Sequence, residues 1–437
     1  MPPTLVEKLA AVVGSDHVAT GVALSPYVIE GRTPDAAVFP GSIDEVRAVL
    51  GVAAELAVPV VPWGGGTAAG VGMPTTWSGC VLGLGRLNRI LEHEPGDLTV
   101  TAQAGVTVAQ LQAALGAQGQ WLSLDPPDAD RATIGGVIAA NASGPRRHLY
   151  GTARDLLIGV TVVTAEGDVV HGGGKVVKNV AGYDLPKLFI GSYGTLGIVV
   201  EATFKLRPRP DDERFVPVVL ASVKDAGGAL RSIMGSDLVP VALELLDRDA
   251  ARALGIAAPA ALVVGFDGLT EQIDWQATEL ARIVAAHGGR TGAPLGRDAP
   301  ARLTSAARDA CSAAASIMRL SVLPTQVAET IEHGAASAKA RGLTSAWSAH
   351  AGVGVVTAVL AAPEVARAAD IAAVLAEWRD VARANGGFAT LEWAPLAVKT
   401  SVPVWDDLGA AGRVMQRIKA QLDPKNLLNP GRFVAGI

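Results

Sequence analysis

The sequence VVPWGGGTAAGVG, residues 60–72, carries the strongest structural signal in the 437-residue chain. The apolar run from Val58 to Val61 predicts a buried strand, which leads directly into Gly64, Gly65 and Gly66. Three successive glycines leave their backbone N–H groups unobstructed, so an anionic group can approach them closely. The pattern therefore predicts a loop that holds a pyrophosphate, with a ligand-free tight turn as the alternative.

Two common nucleotide-binding motifs do not fit this loop. Gly64, Gly66 and Ala69 satisfy the GxGxxA form of the nicotinamide fingerprint, but that motif must open a helix, and Pro74 follows closely here. A Walker loop fails as well, because no lysine followed by serine or threonine ends the glycine run. The sequence thus argues against a Rossmann site and against ATP hydrolysis.

Two further stretches are rich in glycine and other small residues. The first is DPPDADRATIGGVIAANASG, residues 125–144, which could present small side chains to a flat ligand. The second is GSYGTLGIV, residues 191–199, which leads into a predicted strand. Three such segments within one domain favour a shared nucleotide site over three unrelated turns.

Composition and charge exclude several classes of function. With 37 basic and 42 acidic side chains, the formal charge of −5 gives no field that would attract nucleic acid. The two cysteines, Cys80 and Cys311, are too few for an iron–sulfur cluster, and no CxxC pair is present for zinc. Residues 1–13 lack signal-peptide features, and no apolar run is long enough to span a membrane, so we expect a cytoplasmic protein.

Hydrophobic patterning predicts an α+β fold. Ser42 and Glu45 have the spacing of a capping box and predict the start of a helix. Residues 98–104 and 157–163 have the pattern of strands. Two prolines and four charges at residues 207–212 predict an exposed connection between domains.

The second half of the chain predicts another α+β domain. Apolar runs at 262–266 and 353–360 alternate with helical patterns at 271–287, 326–341 and 365–385. We therefore expect three parts, namely an N-terminal segment over 1–33, a cofactor-binding domain over 34–210 and a second domain over 211–437.

The three glycine-rich segments, in this order, resemble the FAD-binding domain of the vanillyl-alcohol oxidase superfamily (the PCMH type). The resemblance covers about residues 34–208 and implies a ferredoxin-like α+β domain after it, which would contact substrate and other subunits. The FAD-binding residues that it implies are Trp63, Gly64, Gly65, Gly66, Thr67, Ala68, Gly72, Asp125, Pro126, Thr133, Gly135, Gly136, Ala140, Asn141, Ser143, Gly144, Gly151, Ile198 and Val199. Thr67 stands where covalently flavinylated relatives carry histidine, so the resemblance implies noncovalent FAD. Trp63 departs from the arginine common at its position.

Two other stretches resemble the FAD-binding subunit family of glycolate oxidase complexes. They are KVVKNVAGYD at residues 175–184 and LDPKNLLNPG at residues 422–431. The resemblance implies oxidation of a 2-hydroxy acid, glycolate to glyoxylate, in a complex with an iron–sulfur subunit and a second FAD subunit, which could hold the chain peripherally at a membrane. The alternatives are a non-catalytic flavoprotein that relays electrons or supports assembly, and a standalone D-lactate-type dehydrogenase.

Three residues of the second domain are candidates for chemistry. Arg308 and Arg319 lie where related enzymes bind the substrate carboxylate, which a guanidinium can grip bidentately, although surface ion pairs are an equal alternative. His350 begins HAGVGVVT, which resembles a degraded HxGDGNxH metal motif in which Val353 and Thr357 replace the aspartate and the second histidine. One histidine cannot hold a divalent metal, so we expect none, and His350 is either a base or simply a strand residue.

Overall fold

A computed structural model describes residues 4–75, 79–175, 183–311, 314–362 and 367–437. The chain divides into two compact units. The first comprises Met1–Ala142, Thr152–Arg209 and Asp407–Ile437, and the second comprises Ser143–Gly151 and Pro210–Asp406. One division falls between Arg209 and Pro210, one residue before the predicted boundary, and the segments 143–151 and 407–437 each belong to a different unit from the one that the predicted ranges gave them.

The first unit contains both helices and short strands. Helices and strands are each numbered in chain order, so the labels missing from this unit belong to the second unit. Its strands are β1 (Val18–Ala19), β2 (Ala36–Val38), β3 (Val60–Trp63), β4 (Cys80–Gly83), β5 (Ile90–Glu94), β6 (Thr99–Gln103), β7 (Gln120–Trp121), β8 (Leu157–Val163), β9 (Val169–Gly173), β10 (Ile198–Lys205) and β11 (Arg207–Pro208). Its helices are α1 (Leu5–Val13), α2 (Ile43–Leu56), α3 (Val108–Gly116), α4 (Ile134–Ala140), α6 (Ala153–Leu156), α7 (Pro186–Phe189) and α15 (Ala410–Leu422).

These strands form two main sheets in the described residues. The order β1-β2-β4-β3 contains the parallel pairs β2–β4 and β3–β4, and the order β5-β6-β10-β8-β9 is antiparallel throughout. One core contains side chains from both sheets and from α2, α3 and α4, including the fully buried Leu50, Leu82, Leu111 and Val200. The glycine-rich loop begins where β3 leaves this core.

Local sequence signals explain several elements of the first unit. Ser42 Oγ accepts from Glu45 N over 3.1 Å, as the predicted cap of α2 requires. The Glu45 carboxylate, however, accepts from Gly41 N, one residue before the position that a capping box would use. The strand predicted at 157–163 is β8, residue for residue.

The connection predicted at residues 207–212 is shorter than expected. Arg207 and Pro208 are exposed, but they form β11 and pair with β7. Asp212 already begins β12 (Asp212–Leu220) in the second unit. The connection between the two strands is therefore residues 209–211, and Pro208 lies in an exposed two-residue strand, a position that tolerates a missing backbone N–H.

The second unit is built on one antiparallel sheet. Its further strands are β13 (Ala242–Asp247), β14 (Ala260–Gly268), β15 (Arg290–Thr291), β16 (Ala314–Ser321), β17 (Thr344–His350), β18 (Val355–Ala361) and β19 (Phe388–Trp393), in the order β15-β12-β14-β13-β17-β18-β16-β19. Its helices are α5 (Arg147–Tyr150), α8 (Val223–Met234), α9 (Arg248–Ala253), α10 (Thr270–Ala285), α11 (Ala299–Asp309), α12 (Val327–Ala340), α13 (Ala368–Ala384) and α14 (Leu396–Lys399). This is the α+β class that the sequence predicts.

Strand β17 shows how the two faces of this sheet differ. The Trp347 ring meets the Trp378 ring of α13 at 4.6 Å between centroids, so one face is covered by helices. Ala346 points to the opposite face, where it packs with Ala307 of α11. Ser348 and His350 follow Ala346 at intervals of two residues and therefore share its face. Polar residues thus occupy the part of this face beyond α11.

Candidate functional site

The glycine loop is shaped by its contact with the second glycine-rich segment. A Cβ atom at Gly64 would lie 2.1 Å from Thr133 Oγ1, and one at Gly65 would lie 1.8 Å from the Arg131 carbonyl oxygen. Gly66 has a φ of +72°, which side-chain-bearing residues rarely adopt. Each of the three glycines is therefore required by packing or by backbone conformation, independently of any ligand.

The same loop offers a run of unused hydrogen-bond donors. Among the described residues, no hydrogen bond uses the backbone N–H of residues 64–68. Consecutive free N–H groups form a concavity that suits an anion, because each contributes a partial positive charge. Fixed donors cost little reorganisation when a phosphate binds. The loop therefore fits the diphosphate of FAD, and the predicted Trp63, Thr67 and Ala68 flank its three glycines in the chain.

The predicted residues of the second segment form the start and end of α4. Thr133 caps this helix, with Oγ1 accepting from Gly136 N over 3.3 Å. Gly135 lies so close to Ala104 that a Cβ would approach its Cβ to 2.7 Å. The helix ends at Ala140, and Asn141 takes a left-handed conformation with a φ of +49°. Glycine-rich sequence is needed here for close packing.

Among the buried polar atoms of the described first unit that lack a hydrogen-bond partner, two lie in or next to the second glycine-rich segment. Asn141 Oδ1 and Ser123 Oγ make no hydrogen bond within the described residues. Ser123 is only 1% exposed and lies two residues before the predicted Asp125. Buried polar atoms are nearly always paired, so these two are suited to contacts with a polar ligand or ordered water. They agree with a cofactor site in this unit.

The third segment is hydrogen-bonded to the second. Gly191 N donates to Ile138 O over 3.0 Å, and Tyr193 N donates to Ala139 O over 2.8 Å. Ile198 and Val199 begin β10, and their side chains are buried in the core. A cofactor would therefore meet these two residues through their backbone, as the family resemblance implies.

The predicted FAD residues are divided between the two units. Ser143, Gly144 and Gly151 belong to the second unit, whereas the remaining predicted FAD residues belong to the first. Most of the lysine-containing run at 175–184, namely residues 176–182, lies outside the described residues. The structure thus brings together the loop, α4 and the start of β10.

The second unit contains a histidine–carboxylate pair on the polar face of its sheet. His350 Nδ1 lies 2.8 and 2.9 Å from the two carboxylate oxygens of Glu244, the residue opposite it on β13. The Glu244 side chain is 1% exposed and the His350 side chain 16%. A buried carboxylate at Nδ1 favours the tautomer in which Nδ1 carries the proton. The Nε2 atom, which makes no hydrogen bond within the described residues, is then available to accept a proton.

A second histidine approaches this pair from α5. A Cβ at Gly352 would lie 2.2 Å from His148 Nδ1, so glycine is needed for the ring to pack there. Burial lowers the pKa of His148, and the nearby Glu244 carboxylate opposes that shift. Tyr150 of the same helix donates from its hydroxyl to the Asp267 carboxylate over 2.7 and 2.8 Å. These contacts hold α5 against β13 and β14.

The two predicted arginines differ in their surroundings. Arg319 pairs with Glu392 over 3.1 Å and lies opposite Thr357 of β18, which lies opposite Ser348 of β17. It therefore shares the polar face with His350, two strands across and two residues along, a backbone separation of roughly 12 Å. An ion pair of this kind is the alternative to binding of the substrate carboxylate that the sequence left open. Arg308 is half-buried in the last turn of α11.

Sequence reasoning missed Glu244 and His148. Glu244 lies within ALELLD, an apolar strand pattern in which one buried acid is the available signal. His148 lies between Gly144 and Gly151, two residues for which the resemblance implies FAD binding. In the described residues, no group of three or more His, Cys, Asp and Glu side chains is arranged to hold a metal.

Comparison with known proteins gives a family for both halves of the chain. Residues 34–173 match the family described as the FAD binding domain, and residues 209–433 match the C-terminal domain of FAD linked oxidases. The glycolate oxidase subunit GlcD of Bacillus subtilis is 32% identical over 92% of this chain and 89% of its own length. A probable mitochondrial D-lactate dehydrogenase of Danio rerio is 29% identical over 98% and 91%.

Two other matches add to this comparison. The glycolate oxidase subunit GlcE of Escherichia coli is 40% identical over 35% of this chain and 43% of its own length. The solved structure of p-cresol methylhydroxylase with substrate bound aligns with a TM-score of 0.78, at 17% identity, over 99% of this chain and 96% of that one. That structure supports the PCMH-type fold. No helix in the described residues combines the length and the apolar character that crossing a membrane requires.

Proposed function

The chain belongs to the FAD-linked oxidases, and from that premise we propose that it oxidises glycolate or a similarly small 2-hydroxy acid. It is an FAD-dependent 2-hydroxy-acid oxidoreductase, as its relatives among glycolate oxidase subunits and D-lactate and D-2-hydroxyglutarate dehydrogenases indicate. The observation that carries the proposal is the Glu244–His350 pair on the polar sheet face. It supplies the proton acceptor that oxidation of an alcohol requires.

In this proposal the first unit holds FAD noncovalently, with the N–H groups of residues 64–68 on its diphosphate. Bound FAD supplies the hydride acceptor at flavin N5. His350 Nε2 accepts the proton of the substrate hydroxyl, and Glu244 stabilises the resulting imidazolium. Arg308 and Arg319 bind the substrate carboxylate, and Glu392 orients the Arg319 guanidinium for this contact.

Anaerobic rapid mixing tests whether the chain is catalytic by itself. The purified chain is mixed with glycolate or with D-lactate, and the visible flavin absorbance is followed. We expect at least one of the two acids to bleach the flavin, because the chain contains both a loop that fits the FAD diphosphate and a histidine that can act as the base. The competing function is a non-catalytic flavoprotein that relays electrons for a partner. If neither acid bleaches the flavin of the FAD-loaded chain, the electron-relay function is favoured.

We also propose that the chain works in a complex with an iron–sulfur subunit and a second FAD subunit. The likeness to two glycolate oxidase subunits, GlcD and GlcE, supports this assembly. The chain has two cysteines, whereas a cluster normally needs four thiolates, so single-electron transfer from the flavin requires a carrier from another chain.

Affinity purification from the native cell tests this assembly. Iron and labile sulfide measured on the eluate should both be present, together with an additional flavoprotein. An iron-free monomer with full hydroxy-acid oxidation would contradict the proposal and favour a standalone dehydrogenase.

A further inference from the structure

The C-terminal segment of residues 423–433 folds back onto the glycine loop of the first unit. Val60 N donates to Leu427 O, and Asn429 N donates to Val60 O, each over 2.8 Å. Past the loop, Met73 N donates to Arg432 O over 2.8 Å. The same short segment is thus hydrogen-bonded to the chain both before and after the loop. Arg432 and Ala69, which are in contact, are 363 residues apart in the sequence.

Arg432 also contacts the loop with its side chain. Its Nη2 donates to Ala69 O over 2.8 Å and to Val71 O over 2.7 Å. The residue is 4% exposed, and this burial lowers the pKa of its guanidinium while the Glu30 carboxylate opposes the shift. Gly72 has a φ of +121°, and a Cβ there would lie 2.8 Å from Arg432 O. No side chain separates the loop from the segment at that point.

The segment is itself rigidly anchored. Lys419 Nζ donates to Thr195 O and to Leu428 O, each over 2.8 Å, and pairs with Asp423 over 2.5 Å. The Asp423 carboxylate accepts from Leu427 N and Leu428 N over 2.9 and 2.7 Å. Both charged side chains are almost fully buried. The backbone that leads to Arg432 is therefore held in place by buried hydrogen bonds.

We propose that residues 423–433 set the conformation of the diphosphate-binding loop and that Arg432 is a positioning residue for FAD. The inference rests on the assignment of FAD to the loop in the proposed function. Because a peptide unit is planar, holding the carbonyls of Ala69 and Val71 fixes the 69–70 and 71–72 peptide planes, and so fixes the end of the loop whose N–H groups at residues 64–68 are assigned to the diphosphate. A loop ordered before binding does not lose that freedom when the ligand binds, so its affinity is higher.

The test compares Arg432→Ala and Arg432→Lys with Arg417→Ala, a change at an exposed arginine of the neighbouring α15. Dissociation constants for FAD and for ADP are measured on the flavin-stripped chain, together with its melting temperature. We expect Arg432→Ala to weaken FAD roughly 10- to 100-fold, the equivalent of losing one charged hydrogen bond. ADP should weaken by a similar factor, because it carries the diphosphate. Arg417→Ala should leave both constants unchanged.

Arg432→Lys separates positioning from folding. Lysine keeps the charge and can donate to a carbonyl but lacks the planar fork, so it should recover part of the lost affinity. Wild-type affinity in a folded Arg432→Ala chain would overturn the inference while leaving the FAD assignment intact. Loss of affinity that follows only the melting temperature, with no recovery by lysine, would also overturn it. A wild-type chain that binds neither FAD nor ADP would instead refute the proposed function.

Discussion

Gly65→Asp is expected to abolish FAD retention by the folded chain. The new Cβ would lie 1.8 Å from the Arg131 carbonyl oxygen, so the loop or its neighbour must move. The added carboxylate would also face the proposed diphosphate. Two unit charges at about 4 Å repel by roughly 4 kcal/mol at an effective dielectric constant near 20, or about a thousandfold in affinity. Flavin content per chain, measured after gel filtration, gives the result.

Two companion variants make this experiment specific. Gly65→Ala adds the same Cβ without charge, so it should weaken FAD less than aspartate does. Gly96→Asp adds the same charge at an exposed glycine with open space around it, so it should retain FAD. Normal flavin content in a folded Gly65→Asp chain would refute the assignment of the loop.

A separate measurement tests whether FAD is attached noncovalently. Acid precipitation of the wild-type chain should release all of its flavin into the supernatant, since the family resemblance implies that Thr67 stands at the position where a histidine would form the covalent link. A coloured pellet would contradict this.

The sequence predicted the parts of the fold that depend on neighbouring residues. Ser42 marks the start of α2 because its hydroxyl oxygen can accept a hydrogen bond from the backbone N–H three residues later. Strand β8 is predicted by a nearly continuous apolar run. The glycine loop was recognisable for the same reason. Its conformation, however, depends on Arg131 and Thr133, whose contacts with Gly64 and Gly65 no local pattern encodes.

The parts that the sequence did not predict depend on distant pairs. Glu244 and His350 are 106 residues apart and meet only through the pairing of β13 with β17. In the same way, the contact between Arg432 and Ala69 spans almost the whole chain. Strand register decides such contacts, and a shift by one residue would place His350 on the opposite face of the sheet. The predicted His350 therefore gained its chemical meaning only from the fold.

His350→Ala is expected to slow flavin reduction by glycolate or D-lactate by roughly 10²- to 10⁴-fold, the usual contribution of a general base. The measurement is the limiting rate of anaerobic bleaching at saturating acid, with each variant fully loaded with FAD. His333→Ala is the matched control, because His333 is an exposed residue of α12 on the helix-covered side of the same sheet. Wild-type rates in His350→Ala would show that His350 is a strand residue and not the base.

Glu244→Gln is expected to slow the same step by about 10²-fold or more, although Glu244 itself need not touch the substrate. The amide has nearly the shape of the carboxylate, but it carries no charge to stabilise an imidazolium. It can also donate to Nδ1 and so place the proton on Nε2, where the lone pair is needed. The defect should therefore appear in the limiting rate and not in the apparent affinity for the acid. Glu244→Asp keeps the charge at a shorter reach and should recover part of the rate. If glutamine and aspartate lower the rate equally, and in parallel with the melting temperature, Glu244 supports the fold alone and the pair is not a catalytic dyad.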